Sequence, residues 1–139
     1  MILVDTSGLL ALHETRNPYR ERALRLIAVP QPRLLSPFIL AELDYLITRD
    51  AGAQRARTLL ADIERGVYSL EQFGNEDIAR ARAVMERYAD LEIGLADASI
   101  VVLAERHDCI DVLTTDQRHF RTVTTSRGQP FRLLLLDEF

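Results

Sequence analysis

The chain contains no lysine and no tryptophan, and its one cysteine is Cys109. A single cysteine cannot close an internal disulfide, so a reducing cytoplasm is the expected compartment. A catalytic thiol needs an activating partner, and Cys109, set among His107, Asp108 and Ile110, reads as a packed residue instead. Without lysine, all 17 basic residues are arginine. Arginine forks suit phosphate recognition, but so general a preference follows genome base composition more readily than function. Long apolar runs are missing too: Ser99 to Ala104 falls far short of the ~20 residues that a membrane-spanning helix requires. The amino end has no basic leader and Asp5 interrupts its first apolar run, so no signal peptide is expected. A net charge of −4 argues against a protein that holds nucleic acid by bulk electrostatics.

What is present is an ordinary globular composition, 47% hydrophobic and 27% charged over 139 residues. That length predicts one domain, residues 1–139, able to bury its own core. Ile2-Leu3-Val4 runs straight into Asp5, which reads as a short buried strand presenting a carboxylate at its carboxyl end. Thr6 or Ser7 then caps a helix ending near His13. Tyr19 to Ala28 is a second helix with Ala23, Leu24 and Ile27 in its apolar stripe. Arg20, Arg22 and Arg25 lie outside that stripe, as a solvated face or as phosphate contacts. Arg33 to Ser36 is a second strand, and Ser36 followed by Pro37 is a strong start for a helix to Arg49. Glu42 lies at the border of that helix's apolar side, either as a surface residue or leaning toward the strand ends.

Ala53 to Arg65 follows as a helix with Leu59, Leu60 and Ile63 inward. Val67 to Leu70 is a strand, and Glu76 to Tyr88 a helix with Ile78, Ala81, Val84, Met85 and Tyr88 inward. Ile93 to Ala104 is apolar almost all round, as in a helix at the centre of a domain. Asp97 is the charge inside it. Burying a carboxylate unpaired costs several kcal/mol, roughly, so Asp97 needs a cation or a donor network, unless it is the N-cap. Asp111 to Asp116 repeats the opening pattern of an apolar strand ending in an aspartate. Gln117 to Phe120 is a short helical turn, and Phe131 to Leu136 a last strand. The alternation predicts an α/β fold: a central, mostly parallel sheet of about five strands, covered by helices on both faces.

Four acids stand out: Asp5 and Asp116 at strand ends, Asp97 in the apolar helix and Glu42 early in a helix that follows a strand. Two like charges ~4 Å apart at an effective dielectric of about 20 repel by on the order of 4 kcal/mol. Mg²⁺ or Mn²⁺ removes that cost, and carboxylate oxygens are what such ions prefer. Two such ions can activate a water and stabilise the leaving oxygen of a phosphodiester.

The segments LVDTSGLLAL, SPFILAELDYLI, IGLADASIVVLAER and VLTTDQRHF, in this order, resemble PIN-domain ribonucleases, and among them the VapC-type toxins of bacterial toxin–antitoxin pairs. The resemblance spans essentially the whole chain. It implies a Mg²⁺- or Mn²⁺-dependent endoribonuclease in which water is the nucleophile. Asp5 and Asp97 would be the principal metal ligands, with Glu42 and Asp116 completing the acidic cluster. Ser7 and Thr115 match hydroxyl positions that support such a site. Gly94 stands near a place where some relatives carry a further acid. A small antitoxin and an RNA substrate are the implied partners, with homodimers formed through the helices between Pro37 and Arg65. Arg16, Arg20 and Arg22 are candidates for RNA docking because they follow the first helix. A phosphoaspartyl phosphatase would need an acid at Ser7, and a receiver domain would need a lysine. A PIN-fold RNA-binding module without catalysis is the alternative, and it would be expected to lack one of the four acids.

Overall fold

The computed structural model describes residues 1–138. Its centre is β1 (Ile2–Val4), whose three side chains are 2%, 0% and 1% exposed. Successive side chains on a strand point to opposite faces, so burial of all three means that the sheet is covered on both. β2 (Arg33–Leu35), β3 (Ser69–Leu70), β4 (Asp111–Leu113) and β5 (Arg132–Leu133) complete a sheet in the order β3-β2-β1-β4-β5. Every pairing is parallel. The chain therefore builds outward from β1 to β3, then crosses back to place β4 on the other side of β1. That reversal falls between β1 and β4, where the carboxyl ends of two adjacent strands open a crevice.

The helices are α1 (Thr6–His13), α2 (Arg20–Ala28), α3 (Pro37–Ala51), α4 (Ala53–Glu64), α5 (Asn75–Arg87), α6 (Leu95–His107) and α7 (Gln117–Phe120). Every residue of α6 from Ala98 to Ala104 is buried, as its apolar sequence requires. α1 packs hard on the end of β4, and this sets a demand on Gly8. A Cβ at that position would come within 2.6 Å of the Leu113 carbonyl carbon and closer still to its oxygen. Only glycine fits between these two backbones.

The sequence-based expectations hold for the order and type of the elements and differ in local detail. Neither Thr6 nor Ser7 caps α1; Asp5 is the N-cap residue, and its side chain makes no cap bond because hydroxyls elsewhere claim it. α6 begins at Leu95 with Gly94 as N-cap, so Asp97 sits inside the first turn and is not the cap. Leu60 and Ile78, expected inward, are 42% and 40% exposed. α4 instead buries Ala56 and Leu59, and α5 buries Ala81. β5 stops at Leu133 because Asp137 folds back on it: the Asp137 amide donates to the Leu133 carbonyl at 2.8 Å, and its carboxylate accepts from the Leu133 amide at 2.8 Å. Among the described residues, no helix is long and apolar enough to cross a membrane.

Candidate metal centre

Pairing of Val4 with Leu113 brings the residues just past both strands together, so Asp5 meets Thr114. Thr114 Oγ1 donates to Asp5 Oδ2 at 2.6 Å, and Ser7 Oγ donates to the same oxygen at 3.2 Å. The amides beyond β4 orient those hydroxyls. Thr115 N–H donates to Ser7 Oγ at 3.0 Å, and Asp116 N–H donates to Thr114 Oγ1 at 2.9 Å. Asp5 is buried, and that burial pushes its carboxyl up from 3.8 to about 7, with help from the nearby charge of Asp97. The bonds from Thr114, Thr6 and Ser7 pull the other way without winning.

Asp97 enters from the first turn of α6. A buried hydroxyl relay holds that helix start against the end of β2. Phe38 N–H donates to Ser36 Oγ at 3.2 Å, Ser36 and Ser99 share a bond at 2.6 Å, and Ser99 Oγ donates to the Ala96 carbonyl at 2.6 Å. Burial pushes the Asp97 carboxyl up to about 6; His119 lowers it, while Asp116 and Glu42 raise it. Asp116 is the N-cap of α7. Its Oδ1 accepts the His119 backbone N–H at 3.2 Å, and its Oδ2 lies 2.9 Å from His119 Nδ1. The same nitrogen is 3.1 Å from Asp97 Oδ2.

Of the four expected acids, Asp97 and Asp116 are brought directly together. With His119 they offer three ligand atoms, all within 4.8 Å of one another. Asp5 lies outside that trio, tied to Thr114 and Ser7 and near enough for the Asp97 charge to act on it. Glu42 is exposed on α3, outside that trio yet near enough for its charge to act on Asp97. Ser7, expected as a supporting hydroxyl, lies within hydrogen-bond reach of Asp5. Thr115 contributes its backbone amide, and the hydroxyl that reaches Asp5 belongs to Thr114. Sequence reasoning missed Thr114, Ser99 and His119. The run Thr114-Thr115 offered two hydroxyls, and only the strand register decides which one turns to β1. Arg20 donates to the Leu12 carbonyl and Arg22 to the Asp137 carbonyl, so both guanidinium groups brace the fold, whereas Arg16 is exposed. Cys109 is buried and its thiol is pushed up by that burial, which leaves it a packed, unreactive residue.

The donor set fits a hard divalent cation. Two carboxylates converge with a third nearby, and desolvation raises two of the three because nothing of opposite charge offsets them fully.

Comparison with known proteins gives the chain its relatives. The PIN domain family matches residues 2–124. Ribonuclease VapC26 of Mycobacterium tuberculosis is 33% identical over 134 residues, covering 96% of this chain and 99% of the relative. Among solved structures, Mycobacterium tuberculosis VapC20, a toxin that cleaves the sarcin-ricin loop, superposes with a TM-score of 0.76 at 23% identity, covering 84% of this chain and 91% of that one. The DNA-bound VapBC of Salmonella typhimurium gives a TM-score of 0.69 at 14% identity, covering 96% and 97%. These two structural likenesses establish the fold. Family match, sequence identity and the acids at the switch point of the sheet agree: the chain belongs to the PIN-domain family and, within it, to the VapC proteins.

Proposed function

We propose that the chain is a metal-dependent endoribonuclease that acts as the toxin of a toxin–antitoxin pair. The observation that carries this reading is the meeting of Asp97 and Asp116 at the switch point of the sheet, with the charge of Asp97 acting on a buried Asp5. Identity of 33% to a ribonuclease over nearly the whole chain supports the substrate class. All four expected acids are present, which favours an enzyme over a catalytically inactive PIN-fold binding module.

Asp97 and Asp116 would hold Mg²⁺ or Mn²⁺, with Asp5 and Glu42 completing the charge, directly or through water. Such a cation lowers the pKa of a bound water and neutralises charge developing on a phosphate. The protein residues have narrower tasks. Thr114 and Ser7 fix the orientation of Asp5, the Ser36–Ser99 relay fixes the start of α6, and the α7 cap aims Asp116. A site so rich in acid repels the RNA backbone, so docking has to draw on arginines outside it. Arg16 is the exposed candidate of the three that follow α1.

A cognate antitoxin is the expected protein partner, because solved structures with this fold include toxin–antitoxin complexes from Klebsiella pneumoniae and Rickettsia felis. Cytoplasmic action and homodimers through α3 and α4 belong to the same reading. Tyr45 on α3 and Leu60 on α4 are 64% and 42% exposed and offer apolar surface for such contacts. The test is sequencing of RNA ends after induced expression. New ends at a defined sequence, accompanied by growth arrest and both absent for Asp97→Asn, are the expected result. Identical end profiles for a well-folded Asp97→Asn and the wild type would remove the assigned centre.

A further inference from the structure

We propose that His119 is a nitrogen ligand of the cation that Asp97 and Asp116 hold, so that the centre mixes oxygen and nitrogen donors. This rests on reading the cluster as a metal site, and it adds what kind of ion the site prefers. Nδ1 of His119 lies 2.9 Å from Asp116 Oδ2 and 3.1 Å from Asp97 Oδ2. Neighbouring ligands at ~2.1 Å on an octahedral ion are about 3 Å apart, so the imidazole nitrogen stands at ligand-to-ligand distance from both oxygens. Without an ion, His119 Nδ1 hydrogen-bonds Asp116 Oδ2 and lies at ion-pair distance from Asp97 Oδ2; the ion takes the place of the Nδ1 proton.

The imidazole is also built in. The side chain is 17% exposed, and its own backbone N–H donates to Asp116 Oδ1 at 3.2 Å, so one turn braces acid and imidazole together. Phe120, next in sequence, is 2% exposed and packs edge-on against Phe131 at 5.6 Å, which anchors α7 to the core. A histidine that served only as a surface residue would need none of this. Carboxylate and water oxygens suit Mg²⁺, whereas an imidazole nitrogen moves preference toward Mn²⁺ and the later first-row ions. The site is therefore expected to bind Mn²⁺ well ahead of Mg²⁺.

The experiment is titration of the metal-free full chain with Mn²⁺, followed by pulsed electron paramagnetic resonance of the bound ion. The expected spectrum carries modulation from one coordinated nitrogen. In His119→Gln that modulation disappears and Mn²⁺ affinity falls at least about ten-fold, the lower end of what loss of even an outer partner costs. Mg²⁺ affinity falls less. Bound Mn²⁺ without nitrogen modulation in the wild type, or modulation that survives in His119→Gln, overturns the ligand role and leaves the acidic site standing. Failure of the wild type to bind Mn²⁺ at all overturns the metal centre and this inference with it. Absence of nitrogen modulation from the wild-type spectrum overturns the ligand role whether or not the variant folds.

Discussion

Asp5 holds its carboxyl at about 7 instead of 3.8 because burial disfavours the charge more than three hydrogen bonds favour it. The folded state therefore binds this proton more tightly than the unfolded state does. The stabilising effect is fully present below the unfolded value near 4 and is lost as pH rises through 7. Taken at its ceiling, the shift represents on the order of 4 kcal/mol. In chelator, Asp5→Asn should melt several degrees above the wild type at pH 8, and the gap should narrow at pH 5 and close only below about pH 4. Thermal unfolding followed by circular dichroism measures this directly. Mg²⁺ or Mn²⁺ at pH 8 should stabilise the wild type more than the variant, because a cation that binds only the folded chain adds to its stability and Asp5 adds to the charge that holds it. An unchanged melting temperature across that series would mean that Asp5 is not desolvated as described.

At the scale of elements, the site depends on three backbone pieces arriving at fixed places. Gly8→Ala should cost more than about 3 kcal/mol, beyond the usual range for overpacking, because the added methyl meets the Leu113 backbone, which cannot rotate away. Ser99→Ala should cost about 1 kcal/mol in stability while loosening the start of α6, so its loss of RNA cleavage should exceed its loss of folding. Denaturant titration beside an activity assay separates the two. Leu59→Ala should cost about 2–5 kcal/mol and Leu60→Ala under about 1, since the first is buried and the second faces solvent.

These pairs mark what was legible in the sequence. Ile2-Leu3-Val4-Asp5 announced a buried strand with a carboxylate at its end, because a strand covered on both faces has no polar alternation to obscure it. Asp97 was legible because a lone charge in an apolar helix demands a partner. Leu60 and Ile78 were misplaced because their helices bury only a narrow stripe, and one position of rotation decides the outcome. Thr114 and His119 were not legible, since each acts through a residue that only the fold brings near: Asp5 for the first, Asp97 for the second.

For the whole molecule, the order β3-β2-β1-β4-β5 does the gathering. It sets β1 beside β4, which joins Asp5 to the loop bearing Thr114 and Asp116, and α6 delivers Asp97 to the same mouth. With a net charge of −4 the molecule has no bulk attraction for RNA, so docking must be local. Arg16→Ala should leave the melting temperature unchanged, weaken RNA binding and lower the salt slope by about one unit. Arg20→Ala and Arg22→Ala should instead lower the melting temperature, because those side chains hold the Leu12 and Asp137 carbonyls. Binding measured across a salt series, alongside thermal melts, sorts the three.

The most direct test of the metal-dependent nuclease centre is cleavage of RNA by the purified chain under chelation and metal re-addition. Cleavage should stop in chelator and return with Mn²⁺ or Mg²⁺. Folded Asp97→Asn and Asp116→Asn should each fall by at least about a hundred-fold under every metal condition. Cleavage that persists in chelator, or that proceeds at the wild-type rate in either folded variant, would contradict the account.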